Sequence, residues 1–115
     1  MRVYIAGPMT GLPESNYPAF HAAAAHLRAR GFNVENPAEN GLPACGGTWL
    51  GWMRLAVAQL ARCDAIYLLP GWKESRGAQV EHQLARGLGL WVMYPPRAAQ
   101  PRAEPLQAAT AEVAA

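Results

Sequence analysis

The residue best placed to do chemistry is Glu81. On a helix its neighbours at i±3 and i±4 are Ala78, Gly77, Leu84 and Ala85, none of them charged. A surface glutamate ordinarily has water or a Lys/Arg partner on its own helix. Glu81 closes the run Ser75-x-Gly77-Ala78-x-x-Glu81, which follows an apolar stretch over residues 65–69 and the turn pair Pro70-Gly71. That order reads as strand, loop and helix start. Ser75 is the candidate N-cap, and Gly77 lets a ligand approach the backbone closely. The unpaired N–H groups of such a helix start favour an anion. A lone carboxylate beside an anion-friendly turn is one reading; a solvated glutamate helped by the helix dipole is the other.

The elements that must position these residues follow from periodicity and punctuation. Residues 2–6 (Arg-Val-Tyr-Ile-Ala) form a buried strand, β-branched and aromatic, ended by Gly7-Pro8. The loop that follows is rich in turn formers but is no Gly-x-Gly-x-x-Gly fingerprint, which argues against an ordinary dinucleotide fold. Ser15 or Asn16 can cap a helix over 17–30, with Pro18 tolerated in its first turn and Gly31 stopping it. Phe20, Ala23, Ala24 and Leu27 make its core stripe. A short strand spans 32–35 and is stopped by Asn36-Pro37. Residues 38–47 form a loop of the length that often covers a ligand.

The helix over 48–62 is apolar almost all round, with Arg54, Gln59 and Arg62 as its clearly polar interior members. Such a helix must be covered on two sides. One side can lie on the sheet, and the other calls for a second copy of the chain or for the long loop folding over it. A strand over 65–69, a helix over 75–88 and a strand over 90–93 complete the core, with Gly87 and Gly89 marking the helix end. Residues 95–115 shift to Pro, Ala, Gln and Glu and read as a tail or arm, with a short helix near 106–113.

The alternation β-α-β-α-β-α-β predicts an α/β fold with a four-stranded parallel sheet covered on both faces. Right-handed crossovers and one reversal beside the first strand give the order 2-1-3-4. Ligands of such sheets bind at the carboxyl ends of the strands, at the switch point between strands 1 and 3. That sets Gly7-Pro8-Met9 opposite the 72–77 loop, with Asn36-Pro37 close by. An N–H-rich pocket, an isolated carboxylate and apolar walls are features of a nucleotide site. Trp72 can stack on a base or shield the crevice. Lys73 and Arg76 can assist a phosphate or be ordinary exposed cations.

Composition narrows the partners. The 115 residues are 51% hydrophobic and 16% charged, with a net charge of +2, which describes one globular domain. Its ten Lys/Arg are scattered and no basic run appears, which argues against a nucleic acid polymer as partner. Cys45 and Cys63 stand in no metal spacing and read as free thiols in a reducing compartment. His21, His26 and His82 form no ligand pair, and His21 and His26 read as rim residues. No metal or cofactor is indicated. Without a signal-peptide h-region or an apolar run of membrane-spanning length, the expectation is a cytoplasmic protein with no membrane partner.

Several blocks together resemble a known superfamily: residues 3–11 (Val-Tyr-Ile-Ala-Gly-Pro-Met-Thr-Gly), Asn36-Pro37-Ala38, Cys63-Asp64-Ala65-Ile66, and Gly71-Trp72 followed by Ser75-x-Gly77-Ala78-x-x-Glu81. They look like the small phage and bacterial domains of unassigned function in the nucleoside 2-deoxyribosyltransferase-like superfamily, over residues 1–94. The resemblance implies a flavodoxin-like three-layer sandwich. It also implies transferases that exchange bases on deoxyribonucleosides, or hydrolases that cleave deoxyribonucleoside monophosphates at the N-glycosidic bond. By the same likeness Glu81 is the nucleophile that forms an ester at C1′, and Tyr4 orients it. The likeness also places Ser75 and Gly77 in the loop that receives the 5′-phosphate in the hydrolases. With the switch-point reading, the candidate substrate contacts are Gly7, Pro8, Met9, Asn36, Trp72, Ser75, Gly77 and Ala78. An oxocarbenium-like centre does need a carboxylate within bonding reach, and a departing base needs a proton or hydrogen bond.

One position departs from the pattern. The superfamily usually carries an aspartate on the second helix, eight residues before the strand aspartate, and here that position is Ala56. Asp64 itself reads as a structural cap at the start of its strand. The expectations are therefore an N-glycosidase or deoxyribosyltransferase acting on a nucleoside or nucleotide, or a nucleotide-binding protein with little or no turnover. A homo-oligomer built on helix 48–62 accompanies both.

Overall fold

The computed structural model describes residues 1–41 and 47–96. Cys45, residues 42–46 of the expected 38–47 loop, and all but the start of the expected 95–115 tail with its helix near 106–113 lie outside the described residues. Four parallel strands, β1 (Arg2–Ala6), β2 (Asn33–Glu35), β3 (Ala65–Leu68) and β4 (Trp91–Met93), form one sheet in the order β2-β1-β3-β4. Three helices connect them: α1 (Tyr17–Ala29), α2 (Trp49–Ala61) and α3 (Arg76–Leu88). This is the flavodoxin-like α/β arrangement, and every strand and helix expected within the described residues is present within a residue or so at each end. Three short 3-10 turns, Pro13–Asn16, Pro37–Glu39 and Trp72–Glu74, lie in the connections read simply as loops.

Strand parity divides the core. Alternate residues of a strand face opposite sides, so Val3, Ile5, Ala65, Tyr67 and Leu69 meet Phe20, Ala23, Ala24 and Leu27 of α1 on one face. Tyr4, Ala6, Ile66 and Leu68 meet Ala56 and Leu60 of α2 and Ala78 and Ala85 of α3 on the other. The α1 stripe read from the sequence is the buried set of that helix.

Caps follow local chemistry. Thr48 caps α2 by accepting from the Gly51 amide at 3.0 Å, and Gly89, with φ of 80°, closes α3. The expected Ser15/Asn16 cap of α1 is different: Glu14, Ser15 and Asn16 are all left-handed, and the Asn16 side chain donates instead to the Pro8 carbonyl at 2.9 Å. That bond fastens the segment after β1 to the start of α1. Asp64 is structural, as read. Its carboxylate accepts from the Arg2 amide at 2.8 Å, at the amino ends of the strands.

Gly7 is fixed by packing. A Cβ there would lie 2.8 Å from Leu69 Cβ, where the chain leaves β1 against the end of β3. Because a Cβ cannot swing aside as a side-chain tip can, Gly7→Ala is expected to destabilise the fold by about 1–3 kcal/mol in urea unfolding. An unchanged midpoint would show that the two strand ends are free to separate.

Candidate active site

α3 turns Ala78, Glu81 and Ala85 toward the sheet, a stripe at i, i+3 and i+7. A glutamate in that stripe must be buried, and Glu81 is 6% exposed. Strand parity sends Tyr4 to the same face, and its hydroxyl donates to Glu81 Oε2 at 2.6 Å. No ion pair of Glu81 occurs among the described residues. Burial therefore raises its carboxyl to about 7, with the Tyr4 hydrogen bond pulling the other way. Tyr4 is pushed well above its ordinary value, first by burial and then by the Glu81 charge, so it remains a donor.

Glu81 and Tyr4 open onto a cavity of about 660 Å³ beyond the carboxyl ends of β1 and β3. Gly7, Pro8 and Met9 border it on one side and Ser75, Gly77 and Ala78 on the other, as expected from the switch point. The two loops touch: a Cβ on Gly71, whose φ is 88°, would sit 3.2 Å from the Pro8 ring. Ser75 caps α3 by accepting from the Ala78 amide at 3.2 Å, and the Gln79 amide closes on the Ser75 carbonyl. Among the described residues this leaves the amides of Arg76 and Gly77, both bordering the cavity, as the first-turn donors for an anion.

Two expected contacts lie elsewhere. Asn36 is buried, accepts from the Ala38 amide at 3.0 Å and meets His21 Nδ1 at 3.3 Å. It anchors the 3-10 turn after β2 and does not border the cavity. Trp72 is turned away as well, packed on the His82 ring at 4.4 Å with the Lys73 ammonium 5.9 Å from it. From the Trp72–Glu74 turn the Trp72 ring packs, partly buried, against the core on that face of the sheet and does not border the cavity. Arg76 instead faces the site, with its guanidinium 3.7 Å from the centre of the Trp49 ring. Gly77 has a packing reason besides ligand access, since a Cβ there would stand 3.2 Å from Met53 Sδ.

The α2 wall was not read as a site. Trp49, Trp52, Met53 and Ala56 border the cavity, spaced i, i+3, i+4 and i+7. That spacing was legible in a helix too apolar for one core, and it accounts for part of the excess. Trp49, Leu50 and Trp52 are still 39%, 51% and 36% exposed. Ala56 stands in the wall where the resemblance led one to look for an aspartate. Asn40, also unassigned from sequence, borders the cavity from beyond β2. His26 is exposed, and burial pushes the Cys63 thiol up to about 11. Among the described residues no group of three His, Cys, Asp or Glu side chains gathers, and no helix is long and apolar enough to cross a membrane.

A buried acid at the carboxyl edge of a flavodoxin-like sheet defines the class of the molecule. Residues 1–94 match the family described as "Domain of unknown function (DUF4406)", and the chain belongs to that family. Among solved structures, a 2-desoxiribosyltransferase from Leishmania mexicana shares the fold at a TM-score of 0.62 and 18% identity, covering 81% of this chain. The chain spans 62% of the length of that protein. No curated protein matches it.

The raised Glu81 value makes stability depend on pH. An unfolded glutamate titrates near 4.5 and the folded one near 7. Between those values the folded chain holds a proton that the unfolded chain has lost, so stability falls as pH rises across the interval and levels off above it. The loss amounts to roughly 3 kcal/mol. Glu81→Gln, neutral throughout, is expected to match the parent near pH 4.5 and exceed it by about that amount at pH 8. Parallel curves in denaturant melts from pH 4.5 to 8 would contradict the buried, cation-free setting.

Proposed function

We propose that the protein cleaves the N-glycosidic bond of a deoxyribonucleoside or its 5′-monophosphate, with Glu81 as nucleophile. The observation that carries this reading is the buried Glu81 carboxyl, hydrogen-bonded by Tyr4 and open to the cavity at the switch point of the sheet. The carboxylate attacks C1′, the C1′–N bond breaks with its electron pair leaving on the base, and an ester joins sugar and Glu81. Water or a second base then attacks C1′, and the C1′–O bond to Glu81 breaks to return the carboxylate. The proton lost by the attacking group is taken up by the departed base, giving the free sugar or the exchanged nucleoside. Tyr4 keeps the attacking oxygen in place, and the Arg76 and Gly77 amides beside Ser75 suit a 5′-phosphate. The fold shared with a deoxyribosyltransferase supports the reading.

The active species is the ionised carboxylate. Base release from a panel of deoxynucleosides and their monophosphates is expected to show kcat/KM rising with pH and bending near 7. Tyr4→Phe removes the bond that lowers the carboxyl's pKa, so the bend moves to higher pH. Glu81→Ala lowers release by about 10³-fold or more. Absence of base release or exchange with every member removes the enzyme reading; if nucleotide still raises the melting temperature, the site binds without turning over.

The apolar outer face of α2 supports a homodimer built on this helix, since Leu50 is 51% exposed and flanked by two tryptophans. Sedimentation velocity is expected to give a dimer, and Leu50→Glu a monomer. A monomeric parent would exclude the pairing.

A further inference from the structure

Bond cleavage as proposed above leaves an electron pair on the base, which must be met by a donor. The α2 wall does not carry an acid where one was expected, because Ala56 stands there. One turn further along α2, at i+3 from Ala56, lies Gln59, 6% exposed. Its amide is matched edge to edge with that of Asn40. Asn40 Nδ2 donates to Gln59 Oε1 at 2.7 Å, and Gln59 Nε2 donates back to Asn40 Oδ1 at 3.1 Å.

The direction of this pair is fixed from outside. Gln59 Nε2 also donates to Glu35 Oε1 at 2.9 Å, an oxygen that has the Arg62 guanidinium 3.6 Å away. A carboxylate only accepts, so Gln59 must turn its NH2 toward Glu35. Its carbonyl oxygen then faces Asn40, and Asn40 must present its NH2 to that oxygen. One Asn40 N–H is consumed; the other has no partner among the described residues, and Asn40 borders the cavity.

Place along the sheet gives that N–H a use. In the order β2-β1-β3-β4, Asn40 lies beyond the end of β2, Tyr4 is on β1, and the α3 start follows β3. A nucleotide laid along this edge with its phosphate at the α3 start brings C1′ toward Glu81 and its base toward β2. We propose that Asn40 hydrogen-bonds the departing base and sets base preference, and that Gln59 is the positioning residue that orients it. The proposal rests on the glycosidic reading.

The test varies the leaving group. Wild type, Asn40→Ala, Asn40→Ser and Gln59→Leu are assayed with natural deoxynucleosides and their monophosphates, and with the matching 4-nitrophenyl deoxyribosides, whose leaving group departs without a donor. Each variant is expected to lose roughly 10- to 100-fold in base release, with smaller differences between bases, while nitrophenolate release is unchanged. Equal loss with both leaving groups, or loss with neither, overturns the proposal. The ratio is internal to each variant, so one that fails to fold is replaced by the other two. If wild type releases nothing from any substrate, the glycosidic reading fails by itself, and free adenine, hypoxanthine, cytosine and thymine become the probes. A base that raises the melting temperature of wild type but not of the Asn40 variants supports the contact, and equal or absent shifts overturn it.

Discussion

The hydrogen bond from the Tyr4 hydroxyl to Glu81 joins the central strand to the helix packed across it. It is made in the layer that holds Ala6, Ile66, Leu68, Ala78 and Ala85, between two side chains that are 1% and 6% exposed. An acid in that layer is tolerated because it is paired with a donor and can take up a proton at modest expense in free energy. The same conditions leave a carboxyl poised near neutrality instead of pinned by a cation. Structure and chemistry therefore make the same demand on these two residues. A lysine or arginine in reach would stabilise the charge and hold the carboxyl ionised.

Much of this was legible in the chain. The sheet order followed from the alternation of elements, and the two faces of β1 followed from parity. Glu81 could be singled out because its helical neighbours are Ala78, Gly77, Leu84 and Ala85, a context that solvent-facing glutamates rarely have. Tyr4 needed the family likeness, since a tyrosine in a buried strand is ordinarily core. What stayed hidden depended on short turns. The Pro37–Glu39 turn leaves Asn36 buried and carries Asn40 to the cavity, and the Trp72–Glu74 turn packs Trp72 on the core while Arg76 borders the cavity. A 3-10 turn rotates successive side chains by about 120°, so the residue that borders the cavity is readily confused with its neighbour.

The α2 helix shows a second source of ambiguity. Its excess of apolar residues was a sound signal that the helix has more than one neighbour. It did not say that one of those neighbours is an open cavity. Trp49, Trp52 and Met53 satisfy the pattern of a packed stripe while lining space. Periodicity reports which face is apolar and is silent on what fills the volume opposite it. Gln59 is the converse case, a polar residue buried on the same helix whose partners come from β2 and the turn after it.

Gly77 and Met53 touch across α2 and α3, and Glu81 stands one helical turn beyond Gly77. The spacing between the two helices is therefore set at the very point from which the carboxyl is aimed. Descendants of this chain cannot widen the chamber by prising the helices apart without also swinging the Glu81 carboxyl away from Tyr4. Widening at the opposite rim, past Thr10 and Tyr17, leaves the approach of Gly77 to Met53 and the Tyr4–Glu81 bond where they are.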